Sequence, residues 1–177
     1  STPKWTDGGV LVLRSPNIRN GRLNLSSKSF TDDEHYADRI RRAKPQGGDL
    51  VITREAPMGE VCMLPSKLKC CLGQRMVLLR PDPSEVDARY LLYALQSPKV
   101  RRAILVNEGT GSTVSNLRIP MLKGLSIPVV SIPEQRAIAD ILGSLDEKIE
   151  LNRRTNRVLE DMARAIFKAW FIDFLPV

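Results

Sequence analysis

A long amphipathic segment near the end of the chain constrains the fold more than any other feature. Ser131 and Glu134 have the spacing of a capping box, and Pro133 stands in the first turn of the predicted helix, where a missing N–H costs no hydrogen bond. The helical pattern continues without a break to Phe174, and Pro176 stops it. At 1.5 Å per residue such a helix is a rod about 60 Å long, about twice the width of a small domain. Most of it therefore needs a partner.

A seam runs along this helix with the alternating four- and three-residue spacing of a coiled coil. Its positions are Ile138, Leu142, Leu145, Ile149, Asn152, Asn156, Leu159, Ala163, Ile166 and Trp170. The two asparagines lower stability but penalise incorrect registers and orientations. The pattern predicts pairing with another helix; the other interpretation is an amphipathic helix packed along its own domain.

The positive charge of the chain lies before the helix. Of the formal net charge of +7, residues 1–130 hold 20 Lys and Arg against 12 Asp and Glu, whereas residues 131–177 hold 7 against 8. A basic domain on a neutral helix indicates an anionic polymer such as nucleic acid as ligand, although many basic proteins bind none.

The cysteines and the hydropathy pattern limit the cellular compartments in which this protein is expected. Cys62, Cys70 and Cys71 are odd in number and have no zinc spacing, so we expect three reduced, half-buried thiols. No secretory segment and no apolar run of membrane-spanning length is present in the sequence. We expect a cytoplasmic protein without a membrane partner. Because the chain begins at Ser1 without an initiator Met, we expect a processed product or a piece of something longer.

The residues before the helix predict a mixed domain. Runs of β-type residues predict strands over 10–13, 50–53, 60–64, 76–79 and 125–130. Helical patterns cover 87–97 and 98–106. The fold class is therefore α+β: a β-rich globular domain over 1–130, followed by one long coiled-coil helix over 131–177.

A polar loop over 107–116 and several basic or amide side chains are the candidate ligand-binding residues. Glycines in the loop let backbone approach a ligand, hydroxyl groups suit phosphates, and Arg, Asn and Gln can pair with base edges. The candidates are Arg14, Arg54, Gln74, Arg75, Thr110, Gly111, Ser112, Thr113, Asn116 and Arg118. The loop also has the composition of an ordinary solvated turn. Further basic residues, among them Arg39, Arg41 and Arg42, are typical of solvated surface.

Catalytic motifs are missing from the sequence. Asp82 with Glu85 and Asp87 resembles the start of a metal-dependent nuclease site, but the Lys that such a site needs is replaced by Asp87. Neither a phosphate-binding loop nor a dinucleotide fingerprint occurs, and a single histidine disfavours hydrolase triads. We expect a binding protein without a catalytic residue, a cofactor or a metal. A coiled-coil adaptor that does not read DNA is the second hypothesis, and a nuclease is the third.

The end of the chain concentrates aromatic residues. Phe167, Trp170, Phe171 and Phe174 lie on one face of the predicted helix and would form a large apolar patch if exposed. This patch predicts an interface with a second helix or subunit; if the helix end folds back, the same residues are core.

Two stretches of the sequence resemble a known family. Residues 132–139 with the seam that follows, and residues 167–174, are similar to the conserved-region helix of the specificity (S) subunits of type I restriction-modification enzymes. Residues 48–54, Gly59, Gly73, Gln74 and 111–113 resemble, more loosely, the target recognition domains of that family.

The resemblance implies a function in double-stranded DNA recognition. In that family two recognition domains each read half of a bipartite site, and two antiparallel helices hold them apart. The subunit is not catalytic and recruits methyltransferase and restriction subunits. By this resemblance, the chain is a recognition module that positions those subunits.

The chain departs from the family in having one recognition domain and one helix where a full subunit has two of each. It is therefore either a fragment of a longer subunit, which the abrupt start favours, or a half-subunit. In both cases the single seam predicts a symmetric, antiparallel homodimer.

Overall fold

The computed structural model describes residues 4–106 and 116–174. It divides into two compact units, residues 1–136 and 137–177. Eight strands, four helices and the first turn of a fifth helix lie within the described part of the first unit. The rest of the fifth helix makes up the second unit.

One three-stranded sheet has the order β4-β1-β7. Strand β1 (Val10–Leu13) pairs antiparallel with β4 (Phe30–Thr31) and parallel with β7 (Cys70–Leu72), with Val12 opposite Cys71. All four residues of β1 are buried. A strand that reads as a continuous apolar run is typical of a position covered on both faces.

The second three-stranded sheet has the order β6-β5-β8. Strand β5 (Leu50–Thr53) pairs antiparallel with β6 (Val61–Met63) and with β8 (Met76–Leu79). A hairpin of β2 (Ile18–Arg19) and β3 (Arg22–Leu23) completes the β structure of the described residues. The strands predicted over 10–13, 50–53 and 76–79 are confirmed with these bounds, and the one predicted over 60–64 is shorter at both ends.

Four short helices belong to the first unit. They are α1 (Asp33–Arg39), α2 (Ala88–Gln96), α3 (Pro98–Val106) and α4 (Ile119–Lys123). Asp32 caps α1 by accepting from His35 N–H, and Asp87 caps α2 by accepting from Arg89 and Tyr90 N–H. Helices α2 and α3 confirm the helical patterns of the sequence, whereas α1 and α4 were not predicted.

The strand predicted over Leu125–Val130 is wrong. These residues are all described, and none of them is in a strand. Pro128 has no N–H to give to a ladder, and its carbonyl oxygen accepts from the Tyr90 hydroxyl at 2.8 Å. Leu125 and Ile127 pack against the core instead. The apolar run therefore reflects side-chain burial without strand pairing.

The fifth helix, α5 (Ile132–Phe167), begins at the predicted capping box. The Glu134 carboxylate accepts from Ser131 N–H at 3.0 Å and from the Ser131 hydroxyl at 2.6 Å. The hydrogen bonds from the Ser131 hydroxyl and N–H hold the pKa of Glu134 below its ordinary value. This contact confirms the start signal that the sequence indicates.

The predicted unbroken helix to Phe174 is wrong at its end. The α-helix ends at Phe167 and continues as a π-helical turn over Lys168–Ile172, closed by a hydrogen bond from Asp173 N–H to Lys168 O at 2.8 Å. The Phe167 and Phe171 rings stack with centroids 5.1 Å apart, and Lys168 pairs with Asp173. These local contacts accompany the wider turn.

The start of α5 is fastened to the N-terminus of α2 by a buried glutamine. Gln135 is fully buried; its side-chain oxygen accepts from Asp87 N–H at 2.8 Å, and its amide group donates to the carbonyl oxygens of Val130 at 2.8 Å and Glu85 at 3.3 Å. Three backbone groups from two separate segments thus depend on one side chain.

An ion pair between the buried Asp49 and the half-exposed Arg80 closes the turn before β5. The Asp49 carboxylate is buried and accepts two hydrogen bonds from the Arg80 guanidinium, both at 2.7 Å, and one from Gln46 N–H at 2.8 Å. Burial raises the pKa of Asp49, but the hydrogen bonds from Arg80 and Gln46 outweigh it, so the pKa lies below the ordinary value of 3.8.

Among the described residues, no helix combines the length and the apolar character needed to cross a membrane.

Replacing Gln135 by Leu should lower the free energy of unfolding by about 2–4 kcal/mol, because buried backbone groups lose their partner. Urea denaturation followed by circular dichroism measures this loss. Gln46→Leu, at an exposed glutamine, is the matched control and should change stability little. An unchanged denaturation midpoint in Gln135→Leu would show that the buried amide is dispensable.

Replacing Asp49 by Asn should make stability less dependent on pH. Because the folded pKa of Asp49 is lowered, its stabilisation is present above the ordinary pKa of 3.8 and is lost as pH falls through the folded value. Urea midpoints at pH 7, 5, 4 and 3 should fall less steeply below pH 4 in Asp49→Asn than in the parent chain. Parallel curves would contradict the assignment.

Candidate nucleic-acid interface

Arg54 follows β5 directly and binds the segment that leads into α4. Its Nε donates to Leu117 O at 2.9 Å and its Nη2 to Asn116 Oδ1 at 2.9 Å, while Leu117 N–H donates to Arg54 O at 2.9 Å. Leu117 is fully buried in the core. Both the backbone and the side chain of Arg54 are therefore bonded to Leu117, which is anchored in the core.

Glu55 joins this contact to the turn between β7 and β8. Its Oε1 accepts from Asn116 Nδ2 at 2.6 Å, and its Oε2 pairs with Arg75 Nε at 3.0 Å. The Ser15 hydroxyl donates to Glu55 O at 3.2 Å. Three sequence-predicted residues, Arg54, Asn116 and Arg75, thus share one polar network with a carboxylate at its centre.

The two basic members of the network differ in exposure. Arg54 is half-buried, and its guanidinium donates inward to Leu117 and Asn116. The Arg75 side chain is 63% exposed, against 18% for Glu55. Arg75 can therefore offer its remaining donors to an external anion or base edge, as an arginine fork does.

A cleft of about 440 Å³ with both apolar and polar lining residues lies beside Arg75. Its described lining includes Trp5, Arg14, Gln74 and Arg75. The Arg14 guanidinium lies over the Trp5 ring, 5.1 Å from its centroid, and donates to the Ser29 hydroxyl at 3.3 Å. The cleft presents two exposed guanidinium groups and one amide on the same face.

A glycine brings the β7–β8 turn against the end of β1. Gly73 N–H donates to Leu13 O at 2.7 Å, and a Cβ at this position would lie 2.9 Å from that oxygen. Only a residue without a side chain permits this approach. The close contact is what places Gln74 and Arg75 beside Arg14.

The remaining candidate residues are Arg118, which does not belong to the Glu55 network in the described part of the chain, and residues 110–113. Arg118 is exposed and precedes α4 as its N-cap residue. Thr110, Gly111, Ser112 and Thr113 lie outside the described residues. The structure thus brings together Arg14, Arg54, Gln74, Arg75 and Asn116, the first and last of which are 102 positions apart in sequence.

Reasoning from the sequence missed Glu55 and Trp5. Glu55 carries no motif, and only its place beside Arg54 in an arginine-rich region could have marked it. Trp5 is 47% exposed at the edge of the cleft, and an exposed tryptophan beside basic strands is the signal that could have found it.

The acidic residues considered for a nuclease site, Asp82 and Asp87, make local structural hydrogen bonds. The Asp82 carboxylate accepts from the N–H and the hydroxyl of Ser84 at 2.9 and 2.7 Å, which lowers its pKa, and Asp87 caps α2. Within residues 4–106 and 116–174, no group of three or more His, Cys, Asp or Glu side chains is placed to hold a metal ion.

The three cysteines are free and buried, more deeply than the half-burial expected. Burial raises the pKa of Cys62 and of Cys70 to about 12, so both are thiols at neutral pH.

Similar proteins are specificity subunits. The chain is 34% identical over 159 residues to the type I restriction enzyme MjaIX specificity subunit of Methanocaldococcus jannaschii, covering 90% of this chain and 34% of that protein. It is 32% identical over 107 residues to the HindI specificity subunit of Haemophilus influenzae, covering 60% of this chain and 23% of that one. The chain thus spans about a third or less of these two relatives.

Solved structures share the fold. The HsdS subunit from Thermoanaerobacter tengcongensis superposes with a TM-score of 0.60 at 12% identity, covering 94% of this chain and 42% of that one. The S subunit of a type I restriction-modification system from M. genitalium gives 0.56 at 24% identity, covering 97% and 45%.

A family model, the type I restriction modification DNA specificity domain, matches residues 2–161, which is most of the chain. The sequence resemblance is thereby confirmed, and the chain belongs to the family of type I restriction modification DNA specificity domains.

Proposed function

We propose that this chain is a sequence-reading DNA-binding module of a type I restriction-modification system, which reads one half of a bipartite site. The observation that carries the proposal is the cleft in which Arg14, Gln74 and Arg75 present two guanidinium groups and an amide on one face. These are the side chains that pair with guanine and adenine edges in a groove. The excess positive charge of residues 1–130 supports the same ligand.

The described DNA-binding candidates divide into three roles. Gln74 and Arg75 are exposed on a turn and are the readers. Arg54 and Asn116 bond to each other, to Leu117 and to Glu55, so they hold the reading turn and the segment before α4 in place. Arg14 and Arg118 suit phosphate contacts because both are exposed.

The two parts of the chain have separate tasks in this proposal. Residues 1–130 recognise DNA, and residues 131–177 form the helix for pairing and subunit docking. The chain carries out no covalent step and needs no cofactor. A cytoplasmic location suits its three free thiols.

The helix pairs antiparallel with a second copy in this proposal. On the described surface, seam residues of α5 remain open: Leu145 is 57% exposed and Leu159 is 56% exposed. The positions most distant from a coiled-coil seam are charged and exposed at every heptad: Asp140, Glu147, Arg154, Asp161 and Lys168. A rod with an apolar seam and a charged opposite face is suited to a two-fold pair.

Apolar residues outside the seam support docking of further subunits. Ile141, Leu151, Val158 and Met162 are each more than half exposed. Ile141 and Met162 flank the seam, but Leu151 and Val158 lie further from it, where one partner helix on the seam would leave them uncovered. The exposed Phe167, Trp170, Phe171 and Phe174 continue this surface to the end of the described helix. We assign it to the methyltransferase and restriction subunits of the same system.

Selection from a randomised 30-base-pair duplex library should enrich a short motif when the whole chain is the bait. Gln74→Ala and Arg75→Ala should change the preferred base at one or two positions, since a good bidentate contact gives about 5- to 150-fold discrimination, or 1–3 kcal/mol. Lys99→Gln, at an exposed residue outside the cleft, is the control and should leave the motif intact. If the parent chain enriches no motif, it is an adaptor and does not read DNA.

Leu142→Asp with Leu145→Asp should convert a dimer into a monomer, because two buried carboxylates would lie in the seam. Sedimentation equilibrium of the whole chain measures the mass directly. Glu147→Lys with Arg154→Glu, which reverses two charges on the opposite face, is the matched control and should remain dimeric. A parent chain that is monomeric at high concentration would overturn the homodimer.

A further inference from the structure

A second basic cleft also reaches the β7–β8 turn. It has a volume of about 650 Å³, and its described lining consists of Asp38, Arg39, Arg41, Arg42, Leu72 and Gln74. Gln74 also lines the cleft that contains Arg14 and Arg75. Gln74 of the turn therefore lines two arginine-containing clefts, which have no other described lining residue in common.

The second cleft is strongly positive. It contains three arginines, and Asp38 is the one carboxylate among its described lining residues. Arg41 pairs with Asp38 at 3.4 Å, but both side chains are mostly exposed, at 79% and 63%, so water weakens the pair. The cleft keeps a net positive charge and exposed guanidinium donors.

Contacts between α1 and the first sheet support the arginine-containing segment of this cleft. Arg39, the last residue of α1, donates from Nη1 to Leu72 O at 2.9 Å. Tyr36 of the same helix is buried with Val10, Val12 and Cys71, and Ile40 packs against that cluster. The Arg39 guanidinium is thus held beside the end of β7, which leads into the turn, whereas Arg41 and Arg42 follow α1 closely and are exposed.

The chemistry of this lining suits an extended polyanion. Leu72 is the one apolar residue of the described lining, so a buried small apolar ligand has little surface to bind. Guanidinium forks match phosphate geometry, and phosphate contacts are the commonest in protein–DNA interfaces. A turn that borders two arginine-containing clefts suits a DNA groove, which has a phosphate strand along each edge.

We propose that the Arg39, Arg41 and Arg42 cleft binds backbone phosphates of one DNA strand while the β7–β8 turn lies in the groove and Arg14 faces the other strand. This assignment rests on the proposed DNA-reading function and adds a contact surface to it. The arginines of this cleft fix the position of the turn and read no base.

Arg41→Gln with Arg42→Gln in the whole chain tests the assignment, because Arg39 keeps its structural bond to Leu72. Binding to a mixed-sequence 30-base-pair duplex is measured across 50–300 mM NaCl. The slope of log K against log[NaCl] should become shallower by about 1–2, roughly 0.9 for each phosphate that the variant no longer neutralises. Affinity at 150 mM NaCl should fall about tenfold for every duplex sequence, and the motif selected from the library should stay the same.

Two further variants separate the proposal from a general charge effect. Lys67→Gln with Lys99→Gln removes the same formal charge at exposed positions outside the cleft and should leave the slope nearly unchanged. Arg41→Lys with Arg42→Lys keeps the charge and should retain most of the slope. Circular dichroism of each variant checks that the fold is intact.

An unchanged salt slope in Arg41→Gln with Arg42→Gln would overturn the phosphate site, even if the parent chain selects a motif. A changed motif would also overturn it, since the residues would then read bases. Unchanged DNA binding together with impaired binding to the methyltransferase subunit would assign the cleft to a protein partner instead. A parent chain that binds no duplex at any salt concentration would overturn both this site and the DNA-reading function.

Discussion

Burial of strand β5 on both faces is the interaction on which the first unit depends. Leu50 and Ile52 pack into the core formed with α2 and α3, whereas Val51 packs into the core that contains Leu11, Leu13 and Ile18. All three side chains are fully buried, and each contributes about 1.5–3 kcal/mol by leaving water. Strand β5 also pairs with β6 and β8. The same strand therefore supplies side chains to both cores and holds its sheet together. Arg54 and Glu55 follow that strand directly, so its burial also fixes the polar network beside the cleft.

The network shows how a basic surface can keep a defined shape. Arginines that lie close together repel one another, and a carboxylate between them relieves the repulsion. Glu55 does this for Arg75 and also orients the Asn116 amide, whose oxygen accepts from Arg54. The same carboxylate draws a guanidinium away from an approaching phosphate. In the proposed function, DNA must therefore compete with Glu55 for Arg75, which favours sequences that offer Arg75 a strong acceptor such as the guanine O6 and N7 pair.

Much of the fold could be predicted from local sequence, and the failures share a physical cause. The strands over 10–13, 50–53 and 76–79 were predictable because each is a run of apolar residues bounded by turn signals. The apolar run at 125–130 has the same local character and is not a strand, because pairing depends on neighbours that the run itself does not contain. The three-residue strand β7 is recognisable only from its register with β1. In the site, Arg54 and Asn116 were predicted one by one, but Glu55 was not, since its role comes from a contact across 61 positions.

Helix α5 poses the opposite problem, because its sequence pattern is clear but many of its apolar side chains are exposed in the described chain. A helix is held mainly by burial of its apolar face, and side chains such as Leu145, Leu159 and Ile166 are about half exposed. Exposed i, i+4 pairs such as Glu150 with Arg154 contribute only about 0.3–0.5 kcal/mol each, which does not replace that burial. Covering the seam with one helix would still leave Leu151 and Val158 open, since both lie away from it. An apolar surface that extends beyond the seam suits a further neighbour, so in the proposed function the helix docks other subunits as well as pairing with a second copy.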